Sequence, residues 1–423
     1  MVWFITAGVF FVGALAAFGW MAIRWRARFD DPSATDRIRL LGWIGGGLAT
    51  ASLLLLVVGI ARSNSIASIP SPSGGGSAVS GSLKSLALGN EIRTIYPRRS
   101  TSEIPRNASL VVVLNNPVDR ASLFSGDRVR PESFALKDRD SGVAVSVVAT
   151  LSSDRMILVL RPEKMLGSPT RNTHYEAVIG STLKTERSRP VASPPYVWDF
   201  SVGTSEDTTP PTIVGTFPEQ GSVEDRNTIL QLVFSKPMDP LTVLDGNGVQ
   251  IEPSTAAGTR QLSDDLMTLE VRGQAACGKN ACGTAMLCWP SATALRATVG
   301  ALRDVSGNAL QHAVPIAWKT SDKLATTAPA IVRVVPSLNA SGVGVDAPVA
   351  VTFSTLMSAT SMTPERLVLP TDWVEASVLR SSVASTVQLF HAPFLPDTVP
   401  IEPAIHGEVT SISQQCFEPC VGP

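Results

Sequence analysis

At 423 residues, with 35 lysines and arginines against 36 aspartates and glutamates and a formal net charge of −1, the chain is too long for one hydrophobic core and lacks the basic surplus that binding a phosphate backbone requires. Nucleic acid is therefore excluded as an expected partner, and about two to four domains are expected. The hydrophobic content, 44%, is ordinary in amount but uneven in placement: two long uncharged runs fall within residues 1–61, and the remainder alternates short apolar stretches with Gly, Pro, Ser and Thr.

No charged residue occurs from Val2 to Ile23 or from Leu40 to Ala61. At about 1.5 Å per residue, each run as a helix is long enough for a bilayer's hydrocarbon core. The loop between them carries Arg24, Arg26, Arg28, Arg37 and Arg39 against Asp30, Asp31 and Asp36, whereas only Arg62 follows the second run. The positive-inside bias puts this loop in the cytoplasm and, with two crossings, both termini outside a cytoplasmic membrane. Trp3, Trp20, Trp25 and Trp43 fall near the ends of the spans, where indole rings sit well among headgroups. With neither a basic n-region nor a small-residue cleavage site before Arg24, the first run reads as a retained span rather than a signal peptide. Residues 1–62 thus form a two-helix transmembrane hairpin in contact with membrane lipid.

This layout, with Leu41-Gly42-Trp43-Ile44-Gly45 opening the second helix, resembles the pilin subunit of conjugative type IV secretion systems. The resemblance implies a hairpin that associates with others in the membrane.

Residues 63–90 are dominated by Ser, Gly, Ala and Pro, too little apolar surface to offset the entropy of ordering, and read as a disordered tether. The chain then repeats itself. Ile95-Tyr96-Pro97, Thr216-Phe217-Pro218 and Val334-Val335-Pro336 each open a unit, giving modules at 91–205, 206–322 and 323–423. Leu110, Val112 and Leu114 recur as Leu230, Leu232 and Phe234, then as Val349, Val351 and Phe353. This period-two alternation predicts a strand with one buried face. A second alternating strand recurs through Met156, Leu158 and Leu160, then Met267, Leu269 and Val271, then Val387, Leu389 and His391. Tyr196-Val197-Trp198-Asp199-Phe200 and Pro315-Ile316-Ala317-Trp318-Lys319 close the first two units. Short strands and frequent turns in units of this size predict tandem all-β sandwiches of Ig-like type.

The middle unit is similar to the bacterial Ig-like domain of S-layer and other surface proteins, called SbsA-like. The resemblance rests on Pro210-Pro211-Thr212-Ile213, Phe217-Pro218, Phe234-Ser235-Lys236-Pro237-Met238-Asp239, Asp304-Val305-Ser306-Gly307-Asn308-Ala309-Leu310 and Trp318. The first unit departs from it by having no Asp-x-x-Gly-Asn turn before its last strand, and the third has Met357-Ser358 in place of Met-Asp. The family implies a spacer or display module without catalytic residues. A closing strand for the third unit is expected past the last residue, so either the sequence is truncated or the unit has an open groove that another chain's strand fills by β-augmentation.

Cys277, Cys282, Cys288, Cys416 and Cys420 form two clusters whose spacings fit no ordinary zinc module, so disulfides of an oxidising compartment are expected, one thiol being left over. Cys416 with Cys420 is the simplest pair; among the other three the choice is open. His174, His312, His391 and His406 are scattered, with no Gly-x-Ser-x-Gly elbow to suggest a hydrolase. Asp304 and Asn308 read as a turn held by side-chain hydrogen bonds in preference to a calcium loop. Asn107-Ala108-Ser109 and Asn339-Ala340-Ser341 fit the glycosylation sequon. The expectation is a non-enzymatic cell-surface protein with no cofactor or metal, structural or adhesive, with an undefined protein or glycan ligand and self-association through the hairpin or the open third module.

Overall fold

The computed structural model describes residues 91–244, 248–311, 315–345, 347–363, 366–368, 373–380, 385–391, 404–405 and 407–417. The two uncharged runs, the five loop arginines and the tether lie outside these residues. Among the described residues no helix is long and apolar enough to cross a membrane.

Runs rich in Val, Ile, Leu and Phe become strands because branched and aromatic side chains pack well on a pleated, buried surface. In the first repeat they are β1 (Ile92–Tyr96), β2 (Leu110–Leu114), the short pair β3 (Phe124–Ser125) and β4 (Arg128–Val129), β5 (Phe134–Asp138), β6 (Val147–Leu151), β7 (Ile157–Pro162), β8 (Thr173–Ile179) and β9 (Tyr196–Val202). One sheet has the order β1-β2-β7-β6 and the other β5-β8-β9, the ABED and CFG arrangement of an Ig-type sandwich. Leu110, Val112 and Leu114 point between the sheets and meet Phe134, Trp198 and Phe200 in one core.

The second repeat contains β10 (Ile213–Phe217), β11 (Val223–Glu224), β12 (Leu230–Phe234), β13 (Val249–Glu252), β14 (Ala257–Leu262), β15 (Thr268–Gly273), β16 (Ala275–Lys279), β17 (Ala285–Cys288), β18 (Ala294–Val299) and β19 (Ile316–Thr320). Its sheets are β10-β12-β15-β14 and β11-β19-β18-β13, with β11 parallel to β19. The hairpin β16–β17 forms a separate two-stranded sheet between β15 and β18. In the third repeat β20 (Ile331–Val335), β21 (Val349–Phe353), β23 (Trp373–Arg380) and β24 (Ser385–His391) form the sheet β20-β21-β24-β23, and β22 (Leu367–Val368) pairs with β25 (Ala404–Ile405). The described residues hold no closing strand for this repeat. A register shift marks the opening strand of every repeat, at Ile92/Thr94, Ile213/Gly215 and Ile331/Arg333.

One-sided burial of these strands, expected from their alternation, is not what the first two repeats show. Val111 and Val159 point away from the first core and are nevertheless buried, packing into the core of the second repeat with Ile157. Gln231 and Glu270, at the same register positions of the second repeat, are buried too. The outer face of each of these sheets is covered by the following repeat at its central strands, β2 and β7 in the first repeat and β12 and β15 in the second.

Candidate functional site

After the opening strand pair, each repeat presents a short helical turn, capped by a side chain in the first two, and, further on, a tight loop. Asp119 caps helix α1 (Arg120–Leu123), and Asp239 caps helix α2 (Pro240–Val243); each carboxylate accepts an N–H two residues on, from Ala121 and Leu241 respectively, the usual N-cap contact. The loop is anchored by paired bridges: Val118–Thr185 and Lys184–Pro190, then Met238–Asp304 and Arg303–Ala309, then Met357–Ser411 and Thr410–Cys416. Its fourth residue has positive φ in all three repeats, at Ser188, Gly307 and Gln414. The turn read as missing from the first unit is therefore present there as Thr185–Arg189, without the Asp, Gly and Asn that make it recognisable in sequence.

This loop docks on the preceding repeat, and it does so twice in the same way. At the first joint the Ser109 N–H donates to the Val305 carbonyl at 2.9 Å; at the second, Ile229 donates to Ile412 at 2.8 Å. Asn107 Nδ2 donates to the carbonyls of Asp207 (2.8 Å) and Ser306 (3.2 Å), and its Oδ1 accepts the Asp207 N–H at 2.9 Å. Asn227 repeats all three contacts, with Ala325 O at 2.9 Å, Ser413 O at 2.6 Å and Ala325 N at 2.9 Å. Asn308 Nδ2 completes the first set on Asp207 O at 2.9 Å, and Gln415 Nε2 the second on Ala325 O at 2.8 Å. Arg161 reaches the cap residue Asp239 at 2.5 Å, and Arg272 at the matching position reaches Ser358 Oγ at 3.4 Å and Thr360 Oγ1 at 3.2 Å.

The two joints differ in what lies beneath these contacts. The first buries Val111, Ile157 and Val159, each contributing about 1.5–3 kcal/mol by removal from water. In the second, Glu270 is fully buried and accepts from Gln231 Nε2 (2.5 Å), Ser358 Oγ (2.7 Å), the Ala359 N–H (2.6 Å) and Thr360 Oγ1 (2.6 Å), with Arg272 at 3.2 Å. A charge taken out of water persists only with such a full set of partners. In the third repeat the donor position of Ser109 and Ile229 is Pro348, which has no N–H, and the position of the two arginines is Phe390.

Asp304 accepts the Ser306 and Asn308 N–H groups through Oδ1, at 2.9 and 2.8 Å, and Asn308 Nδ2 through Oδ2 at 3.0 Å, so the turn held by side-chain hydrogen bonds is present. The cation beside it is a lysine: Lys236 Nζ lies 2.6 Å from Asp207 Oδ2 and 3.4 Å from Asp304 Oδ2. Burial, helped by Asp207 and Asp304, pushes the nearby Tyr96 hydroxyl up to about 12. Among the described residues, no group of three or more His, Cys, Asp or Glu side chains could hold a metal ion. His174 lies exposed on β8, and His312 and His406 fall outside the described residues.

The cysteines pair differently from the simplest expectation. Cys277 is bonded to Cys288 across the β16–β17 hairpin, and Cys416 is bonded to Cys282 instead of Cys420, with Cα atoms 6.2 Å apart. Cys420 lies outside the described residues. The pairing follows from the second joint, where the hairpin reaches over the third repeat: Asn280 Nδ2 donates to the Gln414 carbonyl at 2.9 Å, and Gln414 Oε1 accepts the Leu287 N–H at 2.9 Å. Residues 134 positions apart thereby become neighbours, which local spacing does not reveal. Asn107, half of a sequon by pattern, has its amide engaged in the first joint.

The strand orders and the repeated joints define a tandem array of Ig-like sandwiches. The family described as bacterial Ig-like domain matches residues 89–202 and 207–281. Among solved structures, the N-terminal part of the bacterial S-layer protein SbsC is similar at 13% identity, covering 75% of this chain and 59% of that one with a TM-score of 0.22. SbsC domains 1–6 are similar at 12%, covering 95% and 61% with a TM-score of 0.22. CopC from Methylosinus trichosporium OB3b is similar at 12%, covering 28% of this chain and 98% of its own, with a TM-score of 0.20. The chain thus spans about three fifths of the SbsC structures. No curated protein matches.

Proposed function

We propose that this chain is a membrane-anchored bacterial surface protein whose N-terminal hairpin holds an extracytoplasmic array of Ig-like modules with a structural or adhesive role, and that it is not an enzyme. The observation that carries the reading is the repetition of one joint: a chain that rebuilds the Asn107 contacts at Asn227 invests its specificity in holding modules in fixed register. Two disulfides suit an oxidising exterior. The uncharged runs at 2–23 and 40–61 and the arginines between them supply the anchor and its direction. The ligand is a protein or a cell-surface glycan, bound through loops that the sandwich leaves variable.

Protease added to intact cells tests both anchor and direction. Cleavage between 63 and 417, leaving a short membrane-bound N-terminal fragment, is expected. Full protection in intact cells, with cleavage only after lysis, overturns the topology.

A further inference from the structure

The second joint has a covalent strap; among the described residues the first has none. Cys282, between β16 and β17, is bonded to Cys416, 134 residues further on. Everything between them is a closed covalent loop containing β17, β18 and β19 of the second repeat and β20 to β25 of the third. A pull that enters on the N-terminal side of Cys282 and leaves on the C-terminal side of Cys416 therefore has a short route. It runs through the first repeat and through β10 to β16, crosses the disulfide, and exits.

We propose that the Cys282–Cys416 disulfide is a tension bypass, which takes the third repeat out of the load path and returns it there only when the bond is reduced. The proposal goes beyond the display role, since it concerns how the array bears force whatever it binds. The third repeat is the one that profits. Its opening strand β20 leaves Ile331 38% exposed, whereas Ile92 at the same register position of β1 is buried at 2%. A sheet with an exposed opening strand has little burial to resist being peeled away. A dithiol reductant opens the bypass by giving up two electrons and two protons, becoming a disulfide as Cys282 and Cys416 become thiols.

Force spectroscopy on the full chain in detergent, gripped through handles at its two ends, tests this. The wild-type chain is first unfolded without reductant and held under load, and dithiothreitol is then added. Opening Cys282–Cys416 lengthens the tether in one large step of about 420–450 Å; because Cys277 lies outside that loop and Cys288 inside it, the Cys277–Cys288 bond adds about 40 Å when it opens second and nothing when it opens first, at about 3.4 Å per residue. Because the chain is already unfolded, the readout does not depend on a variant folding. The double variant C282A/C416A, pulled without reductant, should reach the longer length directly. Steps no larger than about 40 Å on reduction, or equal lengths for variant and oxidised wild type, overturn the proposal.

Discussion

Asn107 and Asn227 stand at the same place in two successive joints, each giving two amide hydrogens to carbonyls of the linker and the next repeat's loop and accepting one linker N–H in return. No other side chain offers a donor pair and an acceptor in so short a reach. Asn227→Ala leaves the Ser413 carbonyl and the Ala325 N–H short of a partner, at a cost of about 2–3 kcal/mol. Hydrogen exchange reads the effect locally: the Ile229 and Ala325 amides should lose protection while those of β8 and β9 keep theirs. Unchanged exchange at Ile229 would show that the joint does not depend on Asn227.

The sandwiches are legible in the sequence because Leu110, Val112 and Leu114, and their counterparts in the later repeats, recur at every second position and so share the inward face. The joints are not. Val111 and Val159 occupy positions that an isolated repeat leaves to solvent, and only the docked neighbour buries them. Thr185–Arg189 shares the loop geometry of Asp304–Asn308 but none of its side-chain chemistry. Asn227 has no signal of its own until it is aligned with Asn107. The partner of Cys282 lies across an interface, beyond the reach of local spacing.

Lys236 supplies the positive charge between Asp207 and Asp304, whose side chain has no exposed area. Lys236→Met removes it and leaves two carboxylates at one joint uncompensated, which costs about 3–5 kcal/mol. The ammonium already occupies the place where calcium would have to bind, so added calcium should leave the wild-type thermal midpoint unmoved. A calcium-dependent rise in the wild type would show that a cation displaces Lys236.

Tyr96 gives the first joint an alkaline limit. Its folded-state pKa of about 12 lies above the ordinary 10.0, through burial first and then through Asp207 and Asp304. The folded state therefore holds the proton more tightly than the unfolded chain does. The associated stability is fully present below pH 10 and is lost between pH 10 and 12, about 2–3 kcal/mol in all. Tyr96→Phe cannot ionise, so its denaturation midpoint should fall less steeply than that of the wild type across this window. Parallel curves for the two proteins would place the phenol in water.

Glu270 and Val159 hold the same register position in two joints of opposite chemistry, which permits a direct comparison. Val159→Ala removes two methyl groups from a packed interface and leaves a small cavity, about 1–3 kcal/mol. Glu270→Val installs the side chain of the first joint in the second. Gln231, Ser358, Thr360 and the Ala359 N–H then lose their common acceptor, and Arg272 loses the carboxylate it pairs with. Buried donors without an acceptor cost more than lost methyls, so about 3–5 kcal/mol is expected. Glu270→Gln, which keeps one carbonyl oxygen, should fall between the two. Chemical denaturation of the three variants with the disulfides intact ranks them. A Glu270→Val loss no larger than that of Val159→Ala would mean that the polar joint, like the first, is held by shape and burial instead of by its carboxylate.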